Sequence, residues 1–194
     1  MKAKCWLMLP DIPVGVVFCA FILFLSVIFF SGCSEKTQKP PTIESGEFPF
    51  RFTYEINGKT HVIEDIVICE FRGFDYSAWF TKPRSWSTKL KSGADRIVIL
   101  EFEENTSSAL EPSRINIRSS VTLWYGNGEH YMGDPNGNKI SYVKPNILYH
   151  EYYQLSANEY KHITTPLTHE QAEKLFGIKV IEWDFSEPIT NSFR

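Results

Sequence analysis

The sequence predicts a mainly β protein: a single antiparallel sandwich or curled sheet with one short C-terminal helix, preceded by an N-terminal signal or anchor helix. Three observations predict it. From Phe48 the chain alternates apolar and polar residues with a period of two and then meets Asn57-Gly58, the pattern of a hairpin rather than a helix. Aromatic residues make up 15% of the chain, and strands favour aromatic and β-branched side chains. Ahead of these, "VGVVFCAFILFLSVIFFSG" from Val14 to Gly32 carries no charge. It is long enough to enter a bilayer, whose hydrocarbon core takes roughly 20 apolar helical residues.

Lys2 and Lys4 precede that apolar run and small residues end it, the order of a secretory signal. The lysines favour the cytoplasmic side and direct everything after Gly32 outward. Phe30-Ser31-Gly32-Cys33 has the form of a bacterial lipobox. Ser31 and Gly32 leave the backbone open to a protease at the membrane surface. The Cys33 thiol is the nucleophile that takes a diacylglyceryl group before cleavage between Gly32 and Cys33. The plain alternative is an uncleaved transmembrane anchor with an incidental cysteine. A lipid anchor of two or more chains holds a protein firmly where a single chain does not. The expected organisation is a signal peptide over 1–32, a lipidated tether over 33–47 with Pro40-Pro41 and charges of both signs, and an extracytoplasmic β domain over 48–194.

Phe50, Phe52, Tyr54 and Ile56 alternate with Arg51, Thr53 and Glu55, which places the apolar set on one face of a first strand. The return strand runs from about Thr60 to Phe71. Ile63, Val67, Cys69 and Phe71 share its inner face, and Ile66 and Ile68 opposite suggest burial on both sides. "FDYSAWFTKPRSWSTKLKSG" breaks the pattern and is expected to be an irregular loop. "RIVILEF" is expected as a central strand, and "RINIRSSVTLWY" as one with Ile115, Ile117, Val121, Leu123 and Tyr125 on a single face. Gly126 to Gly128 and "DPNGNK" are turns, and a strand follows over about Asn146 to Tyr153. Thr168 with Gln171 three residues on forms a capping box, and Gly177 ends the helix they open. "IKVIEWDF" closes the fold as a last strand.

The stretch from "SGCSEK" through "PPTIESGEFPFRFTYEINGKTHVIEDIVICEF" resembles a group of small uncharacterised lipoproteins of Gram-positive bacteria. In these a lipobox, a Pro-bearing tether and an "EFPF…TYE-NG" hairpin come in that order. The resemblance implies a lipid-anchored surface domain on the outer side of the cell membrane, and it implies no activity.

The net charge is −3 and the leader is itself net positive, so the outward part is mildly acidic. That argues against a nucleic-acid partner, which a basic face would mark. Of four cysteines, only Cys69 lies beyond the leader and the lipobox, among Ile and Val, where a small buried hydrophobe is expected. His169 and Glu173 sit at helical i, i+4 spacing, but no second histidine completes a zinc motif. Asp134, Asn136 and Asn138 stand at alternate positions as in a calcium loop. Lys139 and Pro145 occupy the places of its Gly and Glu, and the same residues suit a tight turn. No metal or other cofactor is therefore expected.

Tyr76, Trp79, Phe80 and Trp86, interleaved with Lys82, Arg84 and Lys89, form the candidate binding surface. They either stack on a ligand or fold inward to plug one end of the domain. The function expected is a non-enzymatic, membrane-anchored domain that binds an envelope protein or a glycan. A carbohydrate-binding module using the loop over 74–86 is the alternative, and a hydrolase with carboxylates not placed by sequence is a further one.

Overall fold

Strand β1 (Ser45–Ile56) forms because Phe48, Phe50, Phe52 and Tyr54 all fall on one side of an extended chain; each is 5% exposed or less. Asn57 and Gly58, with φ of 52° and 73°, turn it into β2 (Lys59–Phe74). Positive φ at both turn residues matches the twist of the flanking strands, and Asn-Gly tolerates it at little cost. Register runs unbroken from Ile56 opposite Lys59 to Ser45 opposite Glu70. The computed structural model describes residues 38–75, 83–103, 105–135, 144–156 and 158–193. The signal segment, Cys33 and the cleavage position lie outside them, as do Tyr76, Trp79, Phe80, Asn136 and Asn138.

The remaining elements are β3 (Arg84–Leu90), β4 (Ile97–Phe102), β5 (Thr106–Ser107), β6 (Ile115–Trp124), the one-turn helix α1 (Gly128–Tyr131), β7 (Asn146–Ser156), β8 (Glu159–Leu167), α2 (His169–Phe176) and β9 (Lys179–Phe185). They build two antiparallel sheets. One is four-stranded in the order β3-β2-β1-β9; the other is five-stranded, β4-β6-β7-β8 with β5 also on β6. One apolar cluster draws on both, from Phe52 and Val67 in the first to Val121, Ile147 and Tyr149 in the second. Among the described residues no helix is long and apolar enough to cross a membrane.

Helix α2 follows its sequence signals closely. Thr168 Oγ1 accepts from Gln171 N at 3.1 Å, Gln171 Oε1 accepts from Thr168 N at 2.9 Å, and Gly177 ends the helix at φ 67°. Its Ala172 is fully buried, and Phe176 packs on Tyr149 with ring centroids 4.8 Å apart.

Several expectations are corrected. Residues 45–47 belong to β1 rather than to the tether. Just before them, Thr42 N donates to Ser192 O at 2.8 Å, so this stretch is bound to the far end of the chain. The irregular loop ends at Pro83, because Arg84, Trp86 and Leu90 alternate inward along β3. Strand β4 lies at an edge rather than in the centre. Its pairing with β6 steps from Val98–Thr122 to Leu100–Val121, leaving Ile99 as an extra residue, and that bulge accounts for the unalternated "IVIL". The pairing of β6 with β7 likewise skips Ile117, which reverses the side-chain alternation. Asn116 therefore lies fully buried while Ile115, expected inside, is 52% exposed. On β2, Ile66 and Ile68 are only half-buried, so its second face is not a core face.

The edge of the first sheet is closed by a buried ion pair. Arg84 Nε and Nη2 donate to Asp134 Oδ2 and Oδ1 at 2.7 and 2.6 Å, with side-chain exposures of 3% and 0%. Trp86 Nε1 donates to the same Oδ2 at 3.0 Å. Arg84 Nη1 reaches the Lys39 carbonyl, and its guanidinium lies 3.9 Å from the centre of the Phe193 ring. Helix α1 fits beneath because Gly128 has no side chain: a Cβ there would lie 2.4 Å from Trp86 Cβ. Removing one partner leaves an uncompensated buried charge, which costs about 3–5 kcal/mol. Asp134→Ala should lower stability by that amount in urea denaturation followed by circular dichroism. Arg84→Met with Asp134→Leu should recover much of the loss.

Candidate functional site

The two outer faces differ in chemistry. On the first sheet, Arg51 pairs with Glu64 and with Glu182, Glu70 pairs with Arg72 and Lys89, and Lys91 pairs with Glu47. A hollow of about 700 Å³ lies over this face between Phe50, Arg51, Glu64, Asp65, Lys91 and Asp184. It is open, and most of its charges are already matched. Asp65 accepts from the amides of Ile66 and Ser92 at 2.7 and 3.2 Å. Its burial alone would raise the carboxyl pKa, but these bonds and those to Ser92 and Lys91 bring it below the usual range. The groove is thus a self-compensated polar surface.

The outer face of the second sheet holds a tighter recess of about 190 Å³. Leu148, His150 and Tyr152 alternate outward along β7 because Ile147, Tyr149 and Glu151 point in. The hairpin register sets Thr164 of β8 opposite His150, and His162 opposite Tyr152. Ser120 and Thr122 of β6 lie on the other side, opposite His150 and Leu148. Trp124 and Tyr125, stacked with centroids 5.5 Å apart, stand at one end with Asp95 and Arg96. Leu148, Ser120 and Thr122 are only 4%, 3% and 6% exposed, so the centre of this outward face is sunk rather than flat.

Polar groups converge in it. His150 Nε2 is 2.8 Å from Thr122 Oγ1, and His150 Nδ1 is 3.3 Å from His162 Nε2 and 3.1 Å from Thr164 Oγ1. Tyr152 lies flat on the His162 ring, centroids 4.1 Å apart and planes 2° from parallel. Burial lowers the His150 pKa below its ordinary value, and the nearby His162 and Arg96 push the same way. The recess therefore presents a neutral imidazole, hydroxyls and aromatic faces together. That is the composition of a small binding site, although it is smaller than the roughly 300–1,000 Å³ of drug-sized ones.

A second polar cluster lies inside the same sheet. Glu151, 1% exposed, accepts from Asn116 Nδ2 at 2.9 Å and lies 3.7 Å from Arg114 Nη1. Asn116 Nδ2 also reaches the Tyr149 hydroxyl at 3.3 Å. These bonds hold the bulged end of β6 to β7, a bracing role.

The residues singled out by sequence fare differently. Trp86 is on a strand, 9% exposed with its indole N–H bound to Asp134, so it offers no ring to a ligand. Asp134 is corrected as a metal candidate, because both its oxygens hold Arg84 in a closed interior site. His169 packs on Trp183 with centroids 4.8 Å apart and planes tilted by 48°. Cys69 is fully buried with its thiol pKa pushed up to about 12 by burial, which makes it inert. Among the described residues no three His, Cys, Asp or Glu side chains converge as a metal cluster. Sequence reasoning missed the recess because its residues come from β6, β7, β8 and the segments beside them; only the β7–β8 register brings His150 to His162. No protein-family model, no curated protein and no solved structure matches the chain.

His130 on α1 is also held below its ordinary pKa, chiefly by burial and then by Lys144. Both imidazoles bind fewer protons folded than unfolded, so their contribution to stability is complete above about pH 6.5 and falls as pH drops below it. Melting temperature should decline between pH 7 and 5. The double variant His130→Gln/His150→Gln should show a flatter profile over that window.

Proposed function

We propose that the chain is a lipid-anchored extracytoplasmic lipoprotein whose β-sandwich domain works by binding at the cell envelope and not by catalysis. The anchor rests on the order of lysines, apolar run and Phe30-Ser31-Gly32-Cys33. Two sheets sharing one apolar cluster support the sandwich. The domain holds its own ends together, with Pro41 bridged to Phe193 and Asn191 bonded to both the amide and the carbonyl of Ile43. These bonds tie the segment before β1 to the segment after β9.

The single observation that carries the binding reading is the sunken outer face of the second sheet. An outward sheet face is ordinarily flat and solvated. This one buries Leu148, Ser120 and Thr122 at its centre and rings them with Trp124, Tyr152, His150 and His162. A carbohydrate is the favoured ligand class, because flat aromatic rings beside hydroxyl and imidazole groups suit the apolar face and the hydroxyl rim of a sugar. Trp86, buried and bound to Asp134, has no part in that surface.

The test uses the full chain. Expressed in a bacterial host, it should incorporate labelled palmitate and sediment with membranes, and Cys33→Ala should abolish the label. Purified in detergent and titrated with peptidoglycan fragments, it should show a saturable change in tryptophan fluorescence. Tyr152→Ala should weaken that binding roughly tenfold or more, as loss of a central aromatic contact does. Label retained in Cys33→Ala would refute the anchor. A titration unaltered by Tyr152→Ala would refute the recess as the glycan site.

A further inference from the structure

We infer that His150 and His162 form a binding site for a late first-row transition ion, Zn²⁺ foremost, on the outer face of the second sheet. Three electron-pair donors stand there at nearly equal separations: His150 Nδ1 to His162 Nε2 3.3 Å, His150 Nδ1 to Thr164 Oγ1 3.1 Å, and Thr164 Oγ1 to His162 Nε2 3.2 Å. Zinc binds imidazole nitrogen at about 2.0–2.1 Å in a tetrahedron, which sets ligand atoms about 3.3–3.4 Å apart. The observed triangle is already the size of one face of that tetrahedron, without any movement of the backbone.

The surroundings fit the same use. A hydrogen bond on the far nitrogen of a ligand histidine fixes which ring nitrogen meets the ion. Thr122 Oγ1, 2.8 Å from His150 Nε2, can accept its proton and leave Nδ1 as the free lone pair facing His162. Tyr152 stacked flat on His162 holds the second ring in place.

Two imidazoles and a neutral hydroxyl favour zinc or copper over calcium or magnesium, which prefer several charged or carbonyl oxygens. Two strong protein ligands leave positions open, and water or an oxygen donor of a bound molecule completes the shell. The site shares the recess of the binding reading but stands apart from it, since the ion can bind whether or not any glycan does.

Isothermal titration of the chelator-stripped full chain in detergent with Zn²⁺ alone reads the proposal directly. One ion should bind per chain. His162→Ala and His150→Ala should each weaken binding at least tenfold, while His169→Ala, on α2, should leave it unchanged. His162 is exposed, so its variant is expected to keep the wild-type melting temperature and to separate ligand loss from unfolding. With Cu²⁺ in place of zinc, electron paramagnetic resonance should show coupling to two imidazole nitrogens, falling to one in His162→Ala. No uptake at micromolar zinc, or uptake indifferent to both substitutions, would overturn the site.

Discussion

The ion pair between Arg84 and Asp134 constrains more of this molecule than any other contact. Both side chains are removed from water, and taking two charges out of water costs several kcal/mol per ion, so the pair is no simple source of stability. Its value is positional. One guanidinium holds β3, the carboxylate after α1, the carbonyl of Lys39 and the ring of Phe193 in one place. The indole of Trp86 is fixed by the same carboxylate, and the close approach of α1 then demands glycine at 128. The exposed edge of the first sheet is thereby covered, and the two ends of the domain meet beside it.

The faces of the two sheets differ in what they present. The inner faces of both sheets are committed to the apolar cluster. The outer face of the first sheet is laced with exposed ion pairs, each worth little and each leaving the charges matched. The outer face of the second sheet has no such lattice at its centre. It holds imidazoles, hydroxyls and aromatic rings in a depression. Chemistry that would be unremarkable on one strand becomes a site when β6, β7 and β8 set it side by side.

Much of the fold was legible in the sequence where local rules act alone. The β1–β2 hairpin followed from alternation and Asn57-Gly58, and α2 from Thr168, Gln171 and Gly177, because strand period, turn φ and helix caps are properties of a few neighbouring residues. Legibility failed where a distant partner changes what a residue means. Arg84 reads as a surface charge until Asp134 is brought to it, so β3 looked like loop. Strand β8, polar and carrying Pro166, shows no apolar alternation because it lies at an edge. The bulge at Ile117 exchanges Ile115 for Asn116 in the interior, and no local signal announces it.

The candidate site was hidden for the same reason. His150 and His162 have no motif spacing, and their meeting depends on the β7–β8 register, shifted by one residue near Leu155. Trp86, one of the four aromatics expected to form a binding surface, is a core residue.

The central claim is that this domain meets its partner through the outer face of the second sheet. Site-specific photocrosslinking in living cells tests it most directly, with a photoreactive residue placed at Tyr152 or, on the first sheet, at Val62, which is 50% exposed. Adducts to envelope material from position 152 and none from position 62 are the predicted result. Adducts from position 62 with none from 152 would contradict the account and move the functional surface to the opposite sheet.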